Sequence, residues 1–426
     1  MKFTILLLKK EIVHLNLAIE SIISIRGIAV ELSFLPDFEV SIVKNDDSTV
    51  PDVSEHRLVK GIKMKRVMIY AYTQFNLGDD LFIKVLCERY PNTNFVLYAP
   101  SRYKITFKEI NNITFYPSDS IINRGVNYLF RKLGLNEVIR RILVRRCNAV
   151  VQIGGSLFIQ GENWKGILEH TEAMKPKDKP FYLLGTNFGP YSNSDFYESY
   201  KEIFRNYTDI CFRDQYSYNL FKDLNNTRLA DDVIFQLKTQ QIRKQENNII
   251  ISVIKPSIRE HLSQYDEIYY NKIKDIAIYF IEKGYYVTLM SFCELEGDKE
   301  AVENIVDLIP SEFSVRVKKH YYTTNIEDTL NLIAQSSFIV ATRFHSMILG
   351  WVFNKPVFPI IYSEKMTNVM KDVGFKGLFT DFKNINSVKP EQVFECIQMN
   401  LLDVSKQVKR AEGHFEKLDK YLYEIE

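Results

Sequence analysis

From residue 66 onward, short apolar runs alternate with stretches of helical periodicity. Runs at 67–71, 95–99, 149–153, 181–185 and 209–212 have the near-continuous hydrophobicity of strands buried on both faces of a parallel sheet. Phe82, Val85 and Leu86 recur at i, i+3, i+4 and predict a helix behind Gly78-Asp79-Asp80. A second set follows, with strands predicted at 249–254, 286–290, 338–341 and, last, 357–360, and helices at 273–281 and 347–352. Asn325, with Asp328 three residues on, predicts a capped helix whose apolar stripe is Ile326, Leu330 and Ile333. Polar residues 239–246 separate the two sets. Residues 391–422 predict one long helix, with Ile397, Leu401, Val404 and Val408 on its apolar face. The expected fold is α/β: two facing Rossmann-like domains, 64–238 and 247–385, a cleft between them, and a helical tail over 386–426.

Residues 1–63 differ. The run Ile5-Leu6-Leu7-Leu8 is cut short by Lys9, Lys10 and Glu11, too soon for a membrane span, and no small-residue cleavage site follows it. Polar residues 44–49 and 51–55 then read as a linker, and Met64-Lys65-Arg66 precedes the first apolar run as a start would. Residues 1–63 are therefore expected to be an extension outside the core. Composition adds exclusions. Lys+Arg 55 against Asp+Glu 53 gives no global reason to expect nucleic-acid binding. The scattered Cys87, Cys147, Cys211, Cys293 and Cys396 form neither a zinc pattern nor a disulfide framework, so no metal is expected and a reducing compartment is. The expectation is a cytoplasmic protein.

Five segments at predicted strand ends hold candidate chemistry. Asn76-Leu77-Gly78-Asp79-Asp80 offers a turn glycine and a helix N-terminus, or simply a capped βα turn. Gly154-Gly155-Ser156 lacks the spacing of a dinucleotide fingerprint, leaving close ligand approach or a tight turn. Gly185 through Pro190, with Asn187, is a constrained loop. Arg213-Asp214 places a cation beside an acid, either as an anion clamp or as a strand-to-helix tie. The fifth, Thr342-Arg343-Phe344-His345-Ser346, is the most informative. Extended alternation would put Arg343 and His345 on one side, a fixed cation next to a titratable group at the helix start marked by Ser346. Downstream, Lys365 is either a second charge for that site or a solvated lysine.

In this order the segments resemble the polysaccharide pyruvyl transferase family, from about Met64 to Leu378. The resemblance rests on Asn76-x-Gly78-Asp79, Gly154-Gly155, Gly185-x-x-x-Gly189-Pro190, Arg213-Asp214-x-x-Ser217, Asp232, Arg343-x-His345 and Pro356 with Tyr362-x-x-Lys365. Three positions depart from the family pattern: Ser156 stands where a third glycine is common, Asp231 where proline is, and Lys255 where the strand often ends in arginine. The resemblance implies a GT-B-like fold with an acceptor-side first domain and a donor-side second. It also implies transfer of the pyruvyl unit of phosphoenolpyruvate onto a sugar of a bacterial surface or capsular polysaccharide, or its lipid-linked precursor, as a ketal. No cofactor is implied. His345 would be the acid, acting as imidazolium. Arg213, Arg343, Ser346 and Lys365 would hold phosphoenolpyruvate, with Asn76, Gly78, Asp79, Gly154, Gly155 and Asn187 in the acceptor or cleft loops. Membrane contact would come at most through the acceptor, and a homo-oligomer stays open. The rivals are a GT-B glycosyltransferase using a nucleotide-sugar, which would want the same helix terminus and cations, and a non-catalytic sugar-binding relative.

Overall fold

The computed structural model describes residues 64–132, 137–239 and 247–423; the extension expected over 1–63 lies outside the described residues. Two wholly parallel sheets carry the fold. The first runs β3-β2-β1-β4-β5-β6-β7, from β1 (Arg66–Tyr70), β2 (Asn94–Ala99), β3 (Ile113–Pro117), β4 (Ala149–Ile153), β5 (Phe181–Thr186), β6 (Asp209–Phe212) and β7 (Thr227–Leu229). The second repeats that winding as β10-β9-β8-β11-β12-β13, from β8 (Asn248–Ser252), β9 (Tyr286–Ser291), β10 (Val317–Tyr321), β11 (Phe338–Ala341), β12 (Val357–Ile361) and β13 (Thr380–Asp381). Strand order reverses between β1 and β4, and again between β8 and β11. At such switch points the loops leaving the strand C-termini diverge and open a crevice.

The central strands match the apolar runs, because helices cover both sheet faces and leave no polar side. The strands absent from the sequence reading are β3, β7, β10 and β13, so the strand at 357–361 is not the last. All four lie at or next to a sheet edge; β10 reads Val-Lys-Lys-His-Tyr and is half-solvated. Such edges carry polar or charged residues or proline in place of an unbroken apolar run.

The helix Leu77–Arg89 belongs to the first domain but docks on the second. The Leu77 N–H donates to the Phe292 carbonyl at 3.0 Å, and Lys84 pairs with Glu327 at 2.7 Å. Asp80, fully buried, accepts hydrogen bonds from Tyr103 of the first domain and Tyr322 of the second. Burial pushes its carboxyl well above the usual range.

The long C-terminal helix is not observed. The segment divides into helices Pro390–Met399, Ser405–Ala411 and Glu416–Tyr423, and Leu401 and Val408 of the expected stripe are exposed. Asn400 ends the first of these helices. Its amide donates to the carbonyls of Val357 and Leu378 and its oxygen accepts from the Leu378 N–H, which turns the chain away. The rest crosses to the first domain, where Asp419 receives Arg89 and Tyr90, Arg410 holds Asp231, and Arg228 donates to the carbonyls of Gly413 and His414. Asn325 precedes its helix as expected, with Ile326, Leu330 and Ile333 buried. Its side chain, however, accepts from Thr323 instead of capping the first turn.

Candidate active site

His345 stands where the two crevices meet. β11 ends at Ala341, Arg343 is extended, and the helix Phe344–Val352 begins one residue later. Extended alternation therefore stops before His345, and the Arg343 and His345 side chains diverge instead of sharing a side.

Gly78 is inside the helix Leu77–Arg89, not in a turn. A Cβ added there would lie 1.6 Å from Nδ1 of His345, so only glycine admits the imidazole of the opposite domain. Gly155 plays the same part for Arg213, since an added Cβ would stand 2.6 Å from Nη1. Both glycines answer to contacts distant in sequence rather than to local geometry.

Arg213 leaves the end of β6 and reaches His345, with Nη1 3.5 Å from Nε2. Its guanidinium stacks 4.4 Å from the Phe344 ring centroid and donates to Asp232 at 2.9 Å and to Asn187 at 2.6 Å. The adjacent Asp214 is not its partner. It caps the helix Gln215–Phe221 by accepting from the Ser217 N–H at 2.7 Å. Asn187 Oδ1 also accepts from Ser156 Oγ, so this amide orients the arginine. Lys365 follows β12, with its ammonium 5.4 Å from the same Phe344 centroid and 3.4 Å from Ser156 Oγ. Among the described residues it makes no ion pair.

Arg343 is placed differently. Its guanidinium grips both oxygens of buried Asp298 and also meets Glu296. Asp298 is fixed in turn by the N–H groups of Phe292 and Cys293. Burial opposes the charge of Glu296, yet Arg343 foremost, then Arg259 and Lys365, holds it at about 2. Glu296 further accepts from Asn76, whose own oxygen caps the helix at Gly78. Asn76 is thus a cap and an interdomain contact. Ser346 is buried in the first turn of its helix, and Gly154 donates its N–H to the Leu184 carbonyl.

Positive potential dominates the centre. Burial, then Arg213, Lys365 and Arg343, pushes His345 well below its usual 6.5, so the imidazole is neutral without a ligand. Burial raises the Tyr362 phenol, but Lys365, Arg259 and Arg343 outweigh it and hold it below 10. Asp79, next to Gly78, accepts from the Gly155 N–H. Burial lifts its carboxyl to about 7, against the pull of Lys365 and Arg213. A group that titrates at neutral pH can exchange a proton with substrate.

The sequence reading missed Arg259. It lies beyond β8, stacks 4.7 Å from the Tyr362 centroid, pairs with Glu296 at 2.9 Å and keeps one buried terminal nitrogen, Nη1, without a partner among the described residues. The nearby Lys255, at the departure from the family pattern, is committed to Glu300. The only sequence signal for Arg259 is its place just after a predicted strand.

Comparison with known proteins agrees with this architecture. S. aureus MnaA, determined with UDP, superposes with a TM-score of 0.53 at 12% identity over 85% of this chain and 98% of that one. UDP-GlcNAc 2-epimerase of Neisseria meningitidis, bound to UDP-GlcNAc, gives 0.53 at 9% over 84% and 100%. HepE of Anabaena, in complex with UDP and glucose, gives 0.50 at 11% over 85% and 100%. At such identities the likeness is one of fold, the GT-B arrangement. The amylovoran biosynthesis protein AmsJ of Erwinia amylovora is 22% identical over 317 residues, spanning 68% of this chain and 74% of that one. A family model described as polysaccharide pyruvyl transferase matches residues 76–364, which include every residue placed at His345 except Lys365, one position beyond. The chain therefore belongs to the polysaccharide pyruvyl transferase family.

Proposed function

We propose that this transferase moves the pyruvyl unit of phosphoenolpyruvate onto a pair of hydroxyls on a sugar of a bacterial surface polysaccharide, or its lipid-linked precursor, forming a ketal and releasing phosphate. The observation that carries this reading is the placement of His345 at a helix start, with Arg213 Nη1 3.5 Å from its Nε2 and Lys365 over the adjoining Phe344 ring. A donor bearing both a carboxylate and a phosphate supplies the negative charge that this centre lacks. Its binding also raises the proton affinity of His345, so donor and proton arrive together.

The imidazolium then protonates the methylene carbon of the donor, leaving an oxocarbenium-like centre at C2. The first sugar hydroxyl bonds to C2 and gives its proton to Asp79. The C2–O bond to phosphate breaks, and the second hydroxyl closes the ketal, its proton leaving with phosphate. Arg213, Lys365 and Arg259 hold the donor anion, while Arg343 keeps the strand–helix junction in place.

His345→Gln tests the assignment. It retains a hydrogen-bond donor but no acid of suitable strength. It should bind phosphoenolpyruvate nearly normally and lose transfer by roughly 10²–10⁴-fold, measured as phosphate release with an acceptor glycan. Retained turnover would make His345 structural.

A further inference from the structure

Residues 121–146 contain seven Lys/Arg and one acid, Glu137, in a chain whose total excess is only +2. They form the helices Ile121–Lys132, which follows edge strand β3, and Val138–Arg145, which leads into β4. Leu143 and Val144 face the core. The outer side is unlike an ordinary solvated surface. Ile121 is 89% exposed, Ile122 67% and Tyr128 49%. Lys132 and Arg131 lie over the Tyr128 ring, 4.8 and 5.8 Å from its centroid, so cations and apolar groups share one patch.

Elsewhere on the surface some basic residues are held in ion pairs, as in Lys201–Asp223, Lys319–Glu303 and Arg410–Asp231. Here Arg140 pairs with Glu137 at 3.5 Å, and among the described residues Arg124, Arg131, Lys132, Arg141, Arg145 and Arg146 form no ion pair. A nucleic acid would match the charge but leave two isoleucines in water. An anionic lipid surface accommodates both, with cations at the headgroups and isoleucine and tyrosine at the acyl boundary. Among the described residues no helix is long and apolar enough to cross a membrane, so the contact is with its surface.

We propose that this helix pair docks the first domain onto an anionic bilayer. The proposal does not rest on the reaction assigned above. It is tested with the full chain and sedimented vesicles of phosphatidylcholine, with and without phosphatidylglycerol. Binding is expected only to the anionic vesicles and should fall as salt rises. Combined Arg124→Glu, Arg131→Glu and Arg141→Glu should lower partitioning by on the order of 100-fold. Ile122→Ser should lower it about ten-fold at unchanged charge. If the triple variant does not fold, Arg124→Glu alone should give about a five-fold loss. Equal binding to both vesicle types overturns the proposal, as does equal binding by parent and variants. Capture by soluble polyglutamate with none by vesicles also overturns it, and assigns the patch to an acidic protein.

Discussion

Arg213 and Arg343 occupy matching places, each just past the end of a central strand and each buried, yet their surroundings separate their roles. Arg213 faces one carboxylate, Asp232, and spends the rest of its fork on Asn187, the Phe344 ring and the edge of His345. Arg343 faces two carboxylates, Asp298 and Glu296, the second shared with Arg259, so its charge is matched within the scaffold. An arginine at a strand end is therefore not a ligand clamp by position alone. What decides is how many acids the fold brings to it, and whether the remaining field points into the crevice.

The largest effect should come from removing the scaffold arginine. Arg343→Ala leaves Asp298 buried without its cation, which should cost about 3–5 kcal/mol of stability in denaturant unfolding. If stability survives and only donor affinity drops, Arg343 is a clamp after all and the contrast fails. The ligand side should respond the other way. Lys365→Met, and Arg213→Lys, which keeps a charge for Asp232, should leave the melting temperature nearly unchanged. Each should weaken phosphoenolpyruvate binding by about 1.5–3 kcal/mol in calorimetry. Unaltered affinity in both would place the donor elsewhere.

The smallest effect concerns pH. The Asp79 carboxyl is easier to protonate in the folded protein than in the unfolded chain. It therefore weakens the fold progressively as pH rises from 3.8 to about 7, and by a constant amount above that. Asp79→Asn should be more stable than the parent at pH 8 by about 1–2 kcal/mol, with the advantage vanishing toward pH 4. This is less than the full 1.36 kcal/mol per unit because the carboxyl keeps some water contact. A pH-independent difference would mean that the Asp79 carboxyl titrates alike in the folded and unfolded chain, and the raised proton affinity that suits it to take the acceptor's proton would be gone.

Central strands and the glycine and cation positions at their ends were legible in the sequence, because burial on both faces leaves an unbroken local signature. The partners were not. Asp232 stands 19 residues from Arg213, and Asp298 stands 45 from Arg343. A pairing across such distances imprints no period on the chain. The same holds for Gly78: its reason is a side chain from the other domain, and nothing near it in sequence signals that. The tail was misread because its apolar spacing continues through Asn400, while the turn is dictated by carbonyls of residues 357 and 378.

That tail also sets an order of events during synthesis. The carboxylate and carbonyl of Asp231 that await Arg410 and His414, and the Arg89 guanidinium and Tyr90 hydroxyl that await Asp419, belong to the first domain, but the residues that satisfy them are made after both sheets. A nascent chain that has completed both sheets still carries an unsealed first domain. Its final closure, with Asp231 paired and the Arg89–Tyr90 corner covered, waits until residues 410–419 have emerged.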